Sequence, residues 1–285
     1  MKRTSIVTVC LALAAAAGAP AHAGHTVYGV TSNQTLVTWD SSAPNAILTG
    51  VAINGLASGE TIRGIDFRPV NGMLYALGSF NNLYTMNTAN GSVSLVGAGS
   101  FAPALNGSAF GFDFNPAIDR IRVVSDANQN LVLHPDFGTA TGVTSLFYDA
   151  ADVNAGVDPN VVGSAYDNNF AGTTTTQLFG IDTGLDILVK QANSAGTLTT
   201  VGSLGADITN LVGFDISSNG FAYAASQDVG SSISMFWRIN LATGQATAVG
   251  QIGGGTMITS MAVLPAPGSL ALCGLTVLAA GRRRR

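Results

Sequence analysis

The chain has 285 residues, with 12 Lys+Arg against 16 Asp+Glu and a net charge of −4. Half of its cations sit at the two ends, so the stretch from Gly24 to Leu264 sets six cations against all sixteen carboxylates, a net charge of −10. A body this acidic excludes nucleic acid as a partner, because phosphates reward a basic patch, and it disfavours adhesion to anionic lipid. Both cysteines, Cys10 and Cys273, also fall in the ends, which excludes a disulfide, a thiolate zinc site and a cysteine nucleophile from the body.

Residues 1–23 carry Lys2 and Arg3, an apolar run from Ile6 to Ala17, and then Ala21-His22-Ala23. A basic start, a short apolar core and an A-x-A site predict a secretory signal peptide cut between Ala23 and Gly24. A buried N-terminal helix is the alternative. The body, residues 24–264, is rich in Gly, Ala, Val, Thr, Asn and Ser and poor in Lys and Glu. That composition suits short strands and tight turns rather than helices.

A unit recurs along the body. Opening strands read GIDF at 64, GFDF at 111, GSAY at 163 and GFDI at 213, spaced by 47, 52 and 50 residues. Each is followed by a second strand (MLYALG, RIRVVS, QLFGID, FAYAAS) and a third (LYTMN, NLVLH, ILVKQ, MFWRIN). A glycine turn comes next, at Asn90-Gly91, Thr141-Gly142, Ala195-Gly196 and Thr243-Gly244, and then a closing strand (SVSLVG, VTSLFY, TLTTVG, QATAVG). Four strands in a period of roughly 45–50 residues is the pattern of a propeller blade. The N-terminal segments TVYGVT, TLVTWD and ILTGVAI match second, third and fourth strands with no first, and TSMAVLP (259–265) matches a first strand with nothing after it. Joining them makes a fifth blade and removes two open edges. The expectation is therefore an all-β, five-bladed β-propeller of four-stranded antiparallel blades, closed by pairing of its N- and C-terminal strands. An open β-sandwich or solenoid is the competing architecture.

The strings GIDFRPVNGMLYALG, GFDFNPAIDRIRVVSDANQNLVLHPDFG and DVNAGVDPNVVGSAYDNN resemble the secreted bacterial family called domain of unknown function 4394, over about residues 26–264. The resemblance implies a propeller fold and an extracellular setting. It brings no activity, and so no catalytic residues.

Two groups of residues point to cation chemistry. Asp66, Asp113 and Asp215 share one position of the opening strand, and alternation along a strand turns them off the face of their apolar neighbours. In a propeller the first strand lines the axis, so three carboxylates could surround one Ca²⁺, which takes six to eight oxygens. The third repeat has Ala165 there, and the rival role is acceptance of backbone N–H bonds from a neighbouring turn. The loop 149–160, DAADVNAGVDPN, carries Asp152, Asn154 and Asp158. Counted from Asp152 it fails the EF-hand template at Gly156, Val157 and Gly163, which leaves an irregular Ca²⁺ site or a polar connection capping its own turns.

Other chemistry is poorly supplied. The body holds His25 and His134 only, Glu60 is its single Glu, and H-E-x-x-H and G-x-S-x-G are missing from the sequence. A nucleophilic triad or a two-carboxylate glycosidase has little to work with. Arg120 and Arg122, with Arg63 and Arg68, suit either an anionic sugar or pairing with aspartates such as Asp119 and Asp66. Trp39, Trp237, Tyr28, Tyr75 and Tyr84 read as packing between blades.

Residues 265–285 begin Pro265-Ala266-Pro267-Gly268, continue with a short apolar stretch and end in Arg282, Arg283, Arg284 and Arg285. The stretch is shorter than the roughly 17–25 residues of an ordinary membrane span, and the arginines stay cytoplasmic. The tail resembles the PEP-CTERM sorting signal of exopolysaccharide-producing Gram-negative bacteria, with Ala266 where Glu is usual. The resemblance implies an exosortase-type transpeptidase and the inner membrane as partners during export, then release to the cell surface or medium. A plain single-span anchor is the alternative. Three functions follow: a non-enzymatic surface or exopolysaccharide-matrix module in contact with extracellular polysaccharide, a hydrolase or lyase over an axial Ca²⁺, or an adhesin binding calcium or sugar through loop 149–160.

Overall fold

The computed structural model describes residues 24–228 and 230–265. The signal-peptide expectation, with Ala21 and Ala23, lies outside the described residues, as does the tail beyond Pro265. The described chain is all-β apart from one 3₁₀ turn, Asn193–Ala195.

Five sheets form the five blades of a closed propeller. β1 (Thr26–Thr31), β2 (Thr35–Asp40) and β3 (Ala43–Ala52) give the outer three strands of blade 1. Blade 2 is β4 (Ile62–Phe67), β5 (Leu74–Gly78), β6 (Leu83–Met86) and β7 (Val93–Val96). Blade 3 is β8 (Phe110–Asn115), β9 (Arg120–Ser125), β10 (Asn130–Leu133) and the short β11 (Ala140–Gly142). β12 (Phe147–Tyr148) then precedes blade 4, which is β13 (Val161–Tyr166), β14 (Leu178–Asp182), β15 (Ile187–Gln191) and β16 (Thr197–Ser203). Blade 5 is β17 (Ile208–Ile216), β18 (Ala222–Asp228), β19 (Ser234–Ile239) and β20 (Ala246–Gln251). Finally β21 (Ile258–Val263) returns to β1, with Val27 opposite Val263 and Val30 opposite Ser260. The closure expected from the unmatched end segments is the closure observed.

Blade 3 departs from the expected pattern. Its third strand turns at His134–Thr139, where Gly138 takes a positive φ of 63° and its N–H bonds His134 O at 2.9 Å. Gly142 lies inside β11 instead of in the turn. The segment expected as this blade's closing strand leaves the sheet, and β12 joins the outer edge of blade 4, parallel to β16. His-Pro-Asp-Phe-Gly supplies a tighter turn than Thr-Gly, which shifts the closing strand upstream and frees residues 143–148 to cross.

Burial falls from axis to rim. Every residue of β8 and β13 is buried, whereas β3 and β20 are mostly exposed along their length and β7 is half exposed. Aromatic edges lock neighbouring blades: Trp39 on Phe236, Tyr28 on Phe67 and Tyr75 on Phe114, at centroid separations of 5.1–5.7 Å and 74–88° between planes. Contacts of this geometry add about 0.5–1.5 kcal/mol each beyond area burial. On one face, Arg68 of blade 2 forks onto Asp119 of blade 3 and also bonds Asp136 at 2.6 Å. Arg120 and Arg122 do not pair with aspartates. Arg120 donates to the carbonyl of Asp119 at 2.8 Å, and Arg122 bonds Asn130, Ser194 and Tyr166 between blades 3 and 4.

The repeated opening glycine has a steric reason. A Cβ on Gly64 would lie 2.4 Å from Phe112 Cβ, and one on Gly213 would lie 2.5 Å from the Met261 backbone N. Each glycine thus lets the next blade's first strand come close at the axis. In β21 the equivalent residue is Ser260, whose Oγ accepts the Ile65 N–H at 2.9 Å.

Candidate functional site: an axial carboxylate belt

The inner strands place one side chain per blade between the axis and the next blade. At this position stand Asp66, Asp113, Ala165, Asp215 and Ala262, and the three aspartates are 0–1 % exposed. Each carboxylate reaches across to the residue one step further along the neighbouring first strand. Asp66 Oδ2 accepts the Phe114 N–H at 2.8 Å, Asp113 Oδ1 that of Tyr166 at 2.9 Å, and Asp215 Oδ2 that of Val263 at 2.5 Å. The partners are inner strands, not the neighbouring turns that sequence reasoning favoured.

Five blades present five such N–H groups, and three aspartates serve them all. Ala262 and Ala165 cannot reach Phe67 and Ile216, so Asp66 Oδ1 and Asp215 Oδ1 turn back onto those N–H groups of their own strands, at 2.7 and 2.5 Å. Asp113 has no such duty, because Phe114 already bonds Asp66. Of six oxygens five are engaged, and the sixth, Asp113 Oδ2, is buried without a partner. Buried acceptors left in this state are rare and costly.

Electrostatics follow from this packing. Burial, then the charge of Asp215, pushes the Asp66 carboxyl well above its usual range, against the pull of the Phe114 and Phe67 N–H groups. Burial, then Asp66 and Asp215, does the same to Asp113. Asp215 is raised to about 7 by burial, tempered by the Val263 and Ile216 N–H groups and by Asn169. Asn169, which donates to Ile216 O at 3.3 Å, is a member of the belt that sequence reasoning missed. It lies in the turn after β13, outside the repeated positions, and nothing in its neighbours marks it.

One carboxylate oxygen from each of Asp66, Asp113 and Asp215 lies within 4.8 Å of those of the other two. Among the described residues this buried triad could hold a metal ion. Loop 149–160 is arranged differently. Asp152 accepts from Thr200 N at 2.6 Å, Thr200 Oγ1 at 2.8 Å and Asn154 N at 2.9 Å. Asn154 donates to Thr200 Oγ1 and Asp158 accepts from Asn128. The loop's polar atoms tie it to its neighbours.

Above the belt, where the first strands begin, lies an open depression of about 300 Å³ lined by residues of blades 1, 2, 3 and 5, Gln34, Arg63, Ser108 and Asn210 among them. The two histidines stand elsewhere. His25 meets the Tyr223 hydroxyl at 3.0 Å, and His134 packs at a tilt of 38° on Phe137 with centroids 4.4 Å apart.

The family model described as Domain of unknown function (DUF4394) matches residues 35–262. The chain belongs to this family. The match begins inside blade 1, and the strands that close the DUF4394 ring, β1 and the end of β21, flank or overlap its limits. No curated protein matches the chain in sequence. Among solved structures, the crystal structure of a nidogen/laminin complex is 10 % identical with a TM-score of 0.48, covering 84 % of this chain and 98 % of that one. The hydrazine synthase of Kuenenia stuttgartiensis is 13 % identical with a TM-score of 0.41, over 70 % of this chain and 53 % of that one.

Proposed function

We propose that this DUF4394 propeller is an exported, non-enzymatic module of the cell surface or exopolysaccharide matrix, tethered through its tail during export and presenting its axial depression outward. One observation carries this reading: both ends of the ring leave on the same face, opposite the depression. Leu264 N bonds Thr26 O at 2.9 Å, and β21 runs from the depression towards that face. A tail continuing from Pro265 therefore starts on the far side from the depression.

The charge on the two faces supports this orientation. Turns and linkers around the depression carry Glu60, Asp126, Asp158, Asp186 and Asp207, with Arg63 as the cation among the described residues there. The terminal face mixes Arg68, Arg120, Lys190 and Arg238 with Asp40, Asp119, Asp136 and Asp167. Acidic surface is repelled by anionic lipid and balanced surface is not. Extracellular polysaccharide is the partner this reading assigns to the outward face.

A second reading, a hydrolase or lyase over an axial Ca²⁺, is favoured by the convergence of Asp66, Asp113 and Asp215. Against it, the triad is sealed from substrate and five of its six oxygens are bound to backbone. The test is labelling of whole Gram-negative cells with a membrane-impermeant thiol reagent. Ser32→Cys, beside the depression, is expected to label, and Asn71→Cys, on the terminal face, to be protected until the tail arginines Arg282–Arg285 are replaced by Ala. Equal labelling of both in the intact chain rules the orientation out.

A further inference from the structure

We propose that Asp66, Asp113 and Asp215 bind one Ca²⁺ on the ring axis, and that the ion is a clasp joining blades 2, 3 and 5, with Asp113 Oδ2 as the ligand the fold leaves open for it. The inference depends on neither export nor tethering, and it gives the ion a structural role, not a catalytic one.

Three observations converge. The first is the donor count: the five inward backbone N–H groups take one carboxylate oxygen each, the Asn169 amide adds to Asp215, and one oxygen of the six is left over. That oxygen, on a residue 0 % exposed, has no partner. Ala at this position of blade 3 would cost the ring one backbone partner, that of Tyr166 N, whereas Asp66 and Asp215 each serve two. Asp113 is the carboxylate the ring needs least for its own hydrogen bonds, and it carries the free acceptor. Carboxylate oxygens keep a second lone pair after accepting one N–H, so the other two aspartates can also contribute.

The second observation is size. Three oxygens no more than 4.8 Å apart lie within about 2.8 Å of a common centre. Ca²⁺ takes oxygens at roughly 2.3–2.6 Å, which needs a small contraction, whereas Mg²⁺ demands roughly 2.0–2.1 Å in a rigid octahedron and keeps its waters. An all-oxygen, all-anionic set also selects hard cations over zinc or copper.

The third is approach. The depression over the belt is lined by Ile62, Phe110 and Val212, three or four residues before the aspartates on the same strands. At about 3.3 Å per residue its floor lies roughly 10 Å above the triad. The acidic turns around it attract cations and concentrate them at the mouth, with Arg63 as the one opposing charge there among the described residues.

The test uses the purified full chain, stripped with chelator and then dialysed against Ca²⁺ or Mg²⁺. Expected are one Ca²⁺ retained per chain and a melting temperature several degrees higher in Ca²⁺ than in chelator, with a smaller shift in Mg²⁺. Asp113→Asn is expected to lose both the ion and the Ca²⁺ shift while melting in chelator within about 2 °C of the parent. Asp152→Asn is expected to keep both. The proposal is overturned if the parent retains no Ca²⁺, a count that needs no variant to fold. It is equally overturned if Asp113→Asn retains the ion, if Asp152→Asn loses it, or if Mg²⁺ matches Ca²⁺.

Discussion

The axial belt and loop 149–160 each bring side-chain oxygens of Asp or Asn together, yet they are built in opposite ways. In the loop the residues are neighbours in sequence, and their oxygens cap the loop's own turns at Ala151 and Asn154 and tie it to Thr200 and Asn128 beside it. In the belt the aspartates are 47 and 102 positions apart, and their carboxylates are brought within 4.8 Å of one another by ring closure. Proximity along a chain favours local capping, because a short polar side chain finds its own backbone first. Convergence of like charges has to be imposed by the rest of the fold, which can then leave one acceptor unmatched.

Substitutions at the two places should separate them. Asp66→Ala is expected to have the largest effect, because it strands the Phe67 and Phe114 N–H groups. At about 1–3 kcal/mol per buried orphan donor, urea unfolding should report a loss of roughly 2–6 kcal/mol. Asp113→Ala strands only Tyr166 N and removes an unmatched oxygen, so its loss should stay below that of Asp66→Ala, at about 1–2 kcal/mol. Equal losses for the two would break the account of five donors and six acceptors.

Acidity sharpens the contrast further. In the unfolded chain Asp215 releases its proton near 3.8, and in the fold it holds the proton up to about 7. Between those values the folded state binds more protons than the unfolded state, so stability rises as pH falls through that window. In chelator, the melting temperature should be higher at about pH 5.5 than at about pH 8, and Asp215→Asn should reduce the difference and leave the share of Asp66 and Asp113, which burial also raises. Asp152, held below its usual range by the Thr200 and Asn154 N–H bonds, acts with the opposite sign, losing its contribution only as pH falls below the ordinary carboxylate range. Asp152→Ala at neutral pH should cost about 1 kcal/mol, as for other capping residues. Asp158→Ala, which removes a contact to Asn128 on the surface, should change stability by no more than about 0.5 kcal/mol.

Much of the ring could be read from the residues. Strand order, the glycine at the head of each blade and the pairing of Val27–Val30 with Ser260–Val263 all left periodic or complementary marks in the sequence. Blade 3 was misread because Thr141-Gly142 and Phe137-Gly138 are both acceptable turns, and only packing against blade 2 chooses between them: Gly138 abuts the carbonyl of Val96. Arg122 was expected to find an aspartate and instead found Asn130, Ser194 and Tyr166, contributed by two blades. Its charge announced a need for partners and not their identity.

The sequence by itself determined the unit, its number of copies and the three positions where aspartate faces inward, because strand alternation and glycine turns are local properties of the backbone. Tertiary structure alone decided what those aspartates meet. Whether a given axial N–H is served by the preceding blade or by its own strand depends on which blades carry alanine and how closely the inner strands approach. A chain of separate repeats does not contain that information until the ring is closed.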